Sequence, residues 1–192
     1  MGSDRLTLGF DTSAAHCAAA LLSGDRVLTS RAEEMGRGQA ERLVPLLEEV
    51  LAGQGVGWRD LDRIGVGVGP GNFTGIRISV AAARGLALAL DIPAIGISTF
   101  DAIRALGPAG TPSVPAPRDM LHVERAGAGP ALLPASEVAD PALPPAPALL
   151  AQMIAALAGA AAADGPPPAP LYLRPADAAP ARDAPPAILD DA

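Results

Sequence analysis

The sequence predicts an α/β fold whose mixed sheet begins before strands and helices start to alternate. Three observations carry this. Three strand-like runs follow one another at the start, over residues 5–11, 17–23 and 26–33. Helical and strand-like segments then alternate from residue 39 to residue 106. Beyond residue 107 the pattern degrades: three of the 21 prolines lie in residues 1–107 and 18 in residues 108–192.

RLTLGFD (5–11), CAAALLS (17–23) and RVLTSRAE (26–33) read as strands, with Gly24-Asp25 as a hairpin-type turn between the last two. Over residues 39–53, Ala40, Leu43, Leu47, Val50 and Leu51 recur at helical spacing, with Glu41, Glu48 and Glu49 elsewhere on the cylinder. Pro45 removes one hydrogen bond inside that helix, which predicts a kink. Residues 63–68 form a fourth strand and 73–90 a second helix. Gly75, Ser79, Ala82, Ala83 and Gly85 make one side of this helix small. A mid-helix glycine costs about 1 kcal/mol against alanine, so close packing is the reason to keep it. A fifth strand at 94–97 and a short helix at 99–106 follow. The order β-β-β-α-β-α-β-α is that of one ribonuclease-H-like lobe, and does not fit a TIM barrel or a simple Rossmann repeat.

Beyond Gly107, residues 119–125 read as a strand, 148–163 as an alanine-rich helix and 171–174 as a tail strand. The proline-rich pieces 108–117, 141–147, 165–170 and 180–186 read as loops or disorder. The expected organisation is a lobe over residues 1–107 and a reduced second lobe over 108–192, ending in a mobile tail.

Composition excludes several classes of function. The net charge is −7, with −2 in the first part and −5 in the second. Such a chain is a poor holder of a polyanion, and 3% aromatic residues are too few for a base-stacking platform. Direct binding of RNA by this chain is therefore not expected. One cysteine, Cys17, allows no internal disulfide, which suits a reducing cytoplasm; it reads as a small buried hydrophobe. No signal peptide is read at the start, and the alanine-rich 148–163 is too short to span a bilayer. A cytoplasmic protein away from the membrane is expected.

The densest motif is GVGVGPGNFTGIRIS, residues 65–79. A β-branched run meets a Gly-Pro-Gly turn, and Asn72 is a favoured N-cap for a helix starting at Phe73. The turn either offers free amides to an anion or is a tight strand-to-helix connection with nothing bound. The chain contains no lysine, so this is no P-loop, and no register gives G-x-G-x-x-G.

The segment Gly69-Pro70-Gly71-Asn72-Phe73-Thr74-Gly75, with Arg77, resembles the G-P-G-S/N-F-T-G-x-R turn of the TsaB (YeaZ-type) family. Three further segments match in order: Asp11-Thr12-Ser13, the helix from Gln39 through Leu47, and Ile92 through Ser98. The resemblance covers residues 6–106. It implies the actin-like, ribonuclease-H-like ATPase superfold and a role in forming N6-threonylcarbamoyladenosine on the tRNA base 3′ of the anticodon. It further implies a TsaD-like catalytic partner, a TsaE-like accessory ATPase, and a non-catalytic supporting role for this chain, either as a homodimer or bound to its partner. Ala40 departs from the family, which often has His there.

In actin-like ATPases an acid at the position of Asp11 sits near metal and phosphates. Asp11, Thr12, Ser13, Gly69, Gly71, Asn72 and Thr74 are accordingly expected as a vestigial phosphate-site motif. Residues 108–192 contain no Gly-Gly pair for an adenosine loop, so no nucleotide cofactor is expected for the chain alone. TsaD relatives hold a metal through two histidines four apart on a helix. Here only His16 and His122 occur, each expected as an ordinary surface or hairpin residue, with no metal site. No catalytic constellation is found, which also disfavours a protease. The alternative function is a stand-alone small actin-like ATPase or phosphotransferase.

The two long helices carry the expected partner interface. Gln39, Arg42, Leu43, Leu46, Leu47 and Val50 lie on the first, and Gly75, Ser79, Ala82 and Ala83 on the second. The first has more apolar residues than one narrow core stripe requires. Either a broad stripe covers the sheet or one side meets a partner helix, and the family resemblance favours the second. Leu47→Arg and Ala83→Arg are expected to block assembly.

Overall fold

The computed structural model describes residues 5–173. The first eight elements follow the predicted order: β1 (Leu6–Asp11), β2 (His16–Ser23), β3 (Arg26–Glu34), α1 (Gln39–Ala52), β4 (Arg63–Gly67), α2 (Phe73–Leu90), β5 (Ala94–Ile97) and α3 (Thr99–Ala105). Helix α1 continues past Pro45 to Ala52. The strands form one mixed sheet in the order β3-β2-β1-β4-β5. Pairs β1–β2 and β2–β3 are antiparallel, whereas β1–β4 and β4–β5 are parallel.

Both faces of this sheet are covered, and the two-residue period of its strands sorts the side chains between them. Leu8, Phe10, Cys17, Ala19, Leu21, Ile64 and Val66 point to one face. There they join Leu43, Leu46, Leu47 and Val50 of α1 and Ile76, Val80 and Ala83 of α2 in a single core. Ala18, Ala20 and Leu22 point to the other face, against α4 (Pro147–Ala160). That helix lies within backbone-contact distance of the sheet. A Cβ on Gly9 would stand 2.6 Å from the Ala155 amide nitrogen, and one on Gly65 2.7 Å from the Ala158 Cβ. Alanines on the helix and glycines on the strands let the two backbones approach. The apolar helix α2 has length and composition enough to cross a membrane. In this fold it packs on the sheet, with Gly75, Ile76, Ser79, Val80 and Ala83 buried.

A second sheet, β8-β7-β6-β9, comprises β6 (Thr111–Ala116), β7 (Met120–Val123), β8 (Ala131–Pro134) and β9 (Pro141–Ala142). The strand expected near 119–125 is β7, and the alanine-rich helix is α4. Two expectations are corrected. Residues 108–117 and 141–147, read as loops, contain β6, β9 and the start of α4. The prolines are tolerated because β6 changes partner along its length. Residues 111–112 pair with β9 and residues 113–116 with β7; Pro115 has β7 as its one partner, and Pro112 keeps its carbonyl as acceptor for the Glu124 N–H at 3.1 Å. The expected tail strand is likewise absent over residues 171–173. That stretch makes one backbone bond to the sheet, from the Leu171 N–H to the Val68 carbonyl at 2.8 Å. Residues 180–186 and the rest of the tail lie outside the described residues. The division expected at residue 107 is crossed by α4, which comes from the second part and covers the first part's sheet.

Candidate functional site

Strands β1, β4 and β5 are parallel, so their carboxyl ends lie on one edge of the sheet, where crevices form in α/β folds. The two motifs meet there. The Asn72 N–H donates to the Ser13 carbonyl at 2.6 Å, and the Thr12 hydroxyl donates to the Gly75 carbonyl at 2.6 Å. The contact is so close that a Cβ would not fit. One on Gly71 would fall 2.2 Å from the Ser13 carbonyl oxygen, and one on Gly75 1.9 Å from that of Thr12. Gly69 has φ +91°, a left-handed conformation that favours glycine, and its peptide bond to Pro70 is cis. The Gly69 carbonyl accepts from the Thr99 N–H at 2.8 Å, joining β5's end to the same edge. Asn72 caps α2 as expected, its Oδ1 accepting from the Gly75 N–H at 2.9 Å. Thr74 is exposed on the first turn of α2 and is not among the cleft residues.

Asp11 is fully buried behind this turn. Its Oδ2 accepts from the Ser13 N–H and the Ser13 hydroxyl, both at 2.9 Å, and lies 2.7 Å from the His16 Nε2. Its Oδ1 finds no hydrogen-bond partner among the described residues. The oxygen sits beside Gly67, where a Cβ would come within 1.8 Å of it.

In front of these residues lies a cleft of about 1100 Å³. Ser13, His16 and Asn72 form one wall, and His122 with the proline-rich segments around 115 and 144 forms another. Both histidines lie in hairpins, as one of the two expected readings has it, but not on the surface: His16 is 6% exposed, His122 is 8% exposed, and both line the cleft. The signal for His16 was its place five residues after Asp11, across the turn that folds β2 back along β1. At the mouth, Phe73 and Tyr172 stack with ring centroids 4.8 Å apart, and the Arg77 guanidinium lies 4.5 Å from the Phe73 centroid. Tyr172 carried no sequence signal, because its position depends on the chain's return past Val68. Cys17 is fully buried, and its burial, reinforced by the Glu33 charge, pushes the thiol up to about 11. A thiol so poorly ionised is a packing residue rather than a nucleophile.

The expected interface residues fall mostly inside the chain. Leu43, Leu46, Leu47, Val50, Gly75, Ser79 and Ala83 are buried in its own core, which corrects their assignment to an outer surface. The small side of α2 exists to approach β1 and β4: Gly75 backs onto Thr12, and the Ser79 hydroxyl donates to the Gly67 carbonyl at 3.1 Å. Gln39, Arg42 and Ala82 are half-buried. Gln39 Nε2 donates to the Met35 carbonyl at 3.1 Å. Arg42 bonds Glu33 at 2.6 Å and Glu49 at 2.7 Å. Arg42 thereby holds both carboxyls below their usual range. The faces left exposed are Ala40, Glu41, Val44 and Glu48 on α1, and Arg77, Ala81, Arg84, Gly85 and Leu88 on α2.

A mixed sheet between helical layers, with a Gly-Pro-Gly turn at its strand edge, defines an actin-like, ribonuclease-H-like fold. A family model described as TsaD, tRNA N6-adenosine threonylcarbamoyltransferase, matches residues 28–117. The chain is 39% identical over 97 residues to the tRNA threonylcarbamoyladenosine biosynthesis protein TsaB of Haemophilus influenzae, covering 50% of this chain and 40% of that protein. It is 36% identical over 93 residues to the TsaB of Escherichia coli, covering 48% of this chain and 40% of that protein. The chain thus spans about two-fifths of the length of these curated relatives. The solved structure described as YeaZ from Pseudomonas aeruginosa superposes with a TM-score of 0.67 at 26% identity, covering 88% of this chain and 100% of that one. These likenesses support the TsaB (YeaZ-type) family as the one this chain resembles.

Proposed function

We propose that this chain is a non-catalytic supporting subunit in the formation of threonylcarbamoyladenosine on tRNA, acting in the cytoplasm by binding a TsaD-like catalytic subunit. A TsaE-like ATPase completes the assembly, and in the partner's absence the same surface pairs two copies of this chain. The names of the TsaB relatives support the pathway. The observation that carries the non-catalytic reading is the fate of the strand-edge donors. The Asn72 and Gly75 amides and both donors of Ser13 are already engaged within the chain, so this motif serves to join β1 to α2. Among the described residues no three His, Cys, Asp or Glu side chains gather as a metal-binding group.

The exposed faces of α1 and α2 are the partner surface in this reading. Val44 is 42% exposed and Leu88 87% exposed, while Ala81 and Gly85 leave room for a helix to approach. Glu41 and Glu48 make the α1 face acidic, and Arg77 and Arg84 make the α2 face basic. A related helix pair laid across them can match both charges. Leu88→Glu and Val44→Arg are expected to abolish co-purification with the TsaD-like partner while the melting temperature stays within about 2 °C, as surface substitutions do. Unchanged affinity in both variants refutes this surface.

One observation favours the alternative of a stand-alone ATPase: the unpartnered Oδ1 of buried Asp11 stands where actin-like ATPases place an acid. Titration of the pure chain with Mg-ATP separates the two readings, and micromolar binding supports the alternative.

A further inference from the structure

The cleft has a chemistry of its own and shares only Arg77 with the proposed partner surface. Among the described residues no Asp or Glu lines it, and its walls are largely apolar, including Ile76, Val114, Leu143 and Leu150 besides the prolines. At its mouth, Phe73 and Tyr172 stack with an interplanar angle of 29°, yet each remains 40% exposed. Arg77 lies over the Phe73 ring and belongs to none of the ion pairs among the described residues. A guanidinium stacked on a ring keeps its edge N–H groups free for a planar acceptor. His16 is already matched by Asp11. Among the described residues the cleft therefore offers one fixed cation outside any ion pair, beside apolar and aromatic surface. Two amides of the turn are engaged within the chain, that of Asn72 with the Ser13 carbonyl and that of Gly75 with the Asn72 side chain. This donor set suits one negative charge on an apolar body, as small-molecule clefts with few placed polar groups do.

We propose that the cleft binds a small organic monoanion with a planar apolar body, an aromatic carboxylate in class. The carboxylate lies on Arg77 and the ring against the Phe73–Tyr172 stack.

Calorimetric titration of the full chain with 2-naphthoate, 2-naphthamide and Mg-ATP tests this. Naphthoate is expected to bind saturably at one site, with the neutral amide at least about tenfold weaker, the scale of one charge-assisted hydrogen bond. Mg-ATP is expected to bind more weakly than naphthoate. Arg77→Gln should bring naphthoate to the level of the amide and leave the amide unmoved, whereas Tyr172→Leu should weaken both. Equal affinity for acid and amide, no saturable naphthoate binding, tighter Mg-ATP binding, or naphthoate affinity unchanged in Arg77→Gln each overturns the proposal. The acid–amide comparison on the unaltered chain decides the matter should Arg77→Gln fail to fold.

Discussion

Two glycines of α2 have opposite roles. Gly75 faces the Thr12 carbonyl, and a methyl group there would stand 1.9 Å from the oxygen, backbone against backbone. Neither element can retreat, because the Thr12 hydroxyl and the Asn72 amide bind them together. Gly75→Ala is expected to lower stability by about 2 kcal/mol or more, as forced overpacking does. Gly85 lies on the exposed side with nothing within 4 Å of its Cβ position. Gly85→Ala should raise stability by up to about 1 kcal/mol through helix propensity alone. Urea midpoints of the two variants check both signs. Both glycines sit in one small-residue pattern in the sequence, and that pattern does not say which of them faces the sheet.

At the scale of elements, two polar devices hold helices to the sheet. Arg63, at the start of β4 and 7% exposed, donates to the carbonyls of Ala158 at 3.0 Å and Gly159 at 3.4 Å, and to that of Ala161. It closes the C-terminus of α4, where unpaired carbonyls and the helix dipole favour a cation. Arg63→Met keeps the apolar stem and removes these bonds. It should cost about 2 kcal/mol and speed amide exchange in the last turn of α4. The second device is Arg42 of α1, which bonds Glu33 of β3 and Glu49 of its own helix. Hydrogen bonds from Arg42 lower both carboxyls below the ordinary 4.5. A lowered acid contributes stability that is fully present above its unfolded value and is lost as pH falls through its folded value. The melting temperature of the chain should therefore exceed that of Arg42→Met at pH 7. The difference should shrink once pH drops below about 4.5. A difference that persists unchanged at pH 2 means that Arg42 acts through packing alone.

For the whole molecule, the position of α4 decides what can be removed. Its alanine face is the only cover, among the described residues, over Ala18, Ala20 and Gly65 on the back of the sheet. A chain ending at residue 146 should show no cooperative melting transition, since apolar strands buried on both faces cannot stand with one face in water. Residues 180–192 lie outside the described residues, and their composition provides little to bury beyond Ile188 and Leu189. Their deletion is expected to leave the melting temperature and partner binding unchanged. A drop of several degrees contradicts this.

The sequence by itself determined the order of the first eight elements, the strand-edge turn and its Asn72 cap, and the resemblance to the TsaB (YeaZ-type) family. Each of these rests on local information: periodicity, glycine and proline conformation, and capping chemistry act within a few residues. The facing of α1 and α2 was decided only by tertiary structure. Leu43 and Leu47 on one helix and Gly75 and Ser79 on the other look equally suited to a core or to a partner, and only the sheet beneath them settles which. Beyond residue 107 β7 was legible, but β6 and β9 were hidden because a proline is tolerated where its missing N–H has no ladder partner, and partnership is a property of the fold. The cleft was hidden for the same reason. His16, Arg77, His122 and Tyr172 are scattered through the sequence, and they meet around one cleft only because β1, β4 and β5 end on one edge and the chain returns past it.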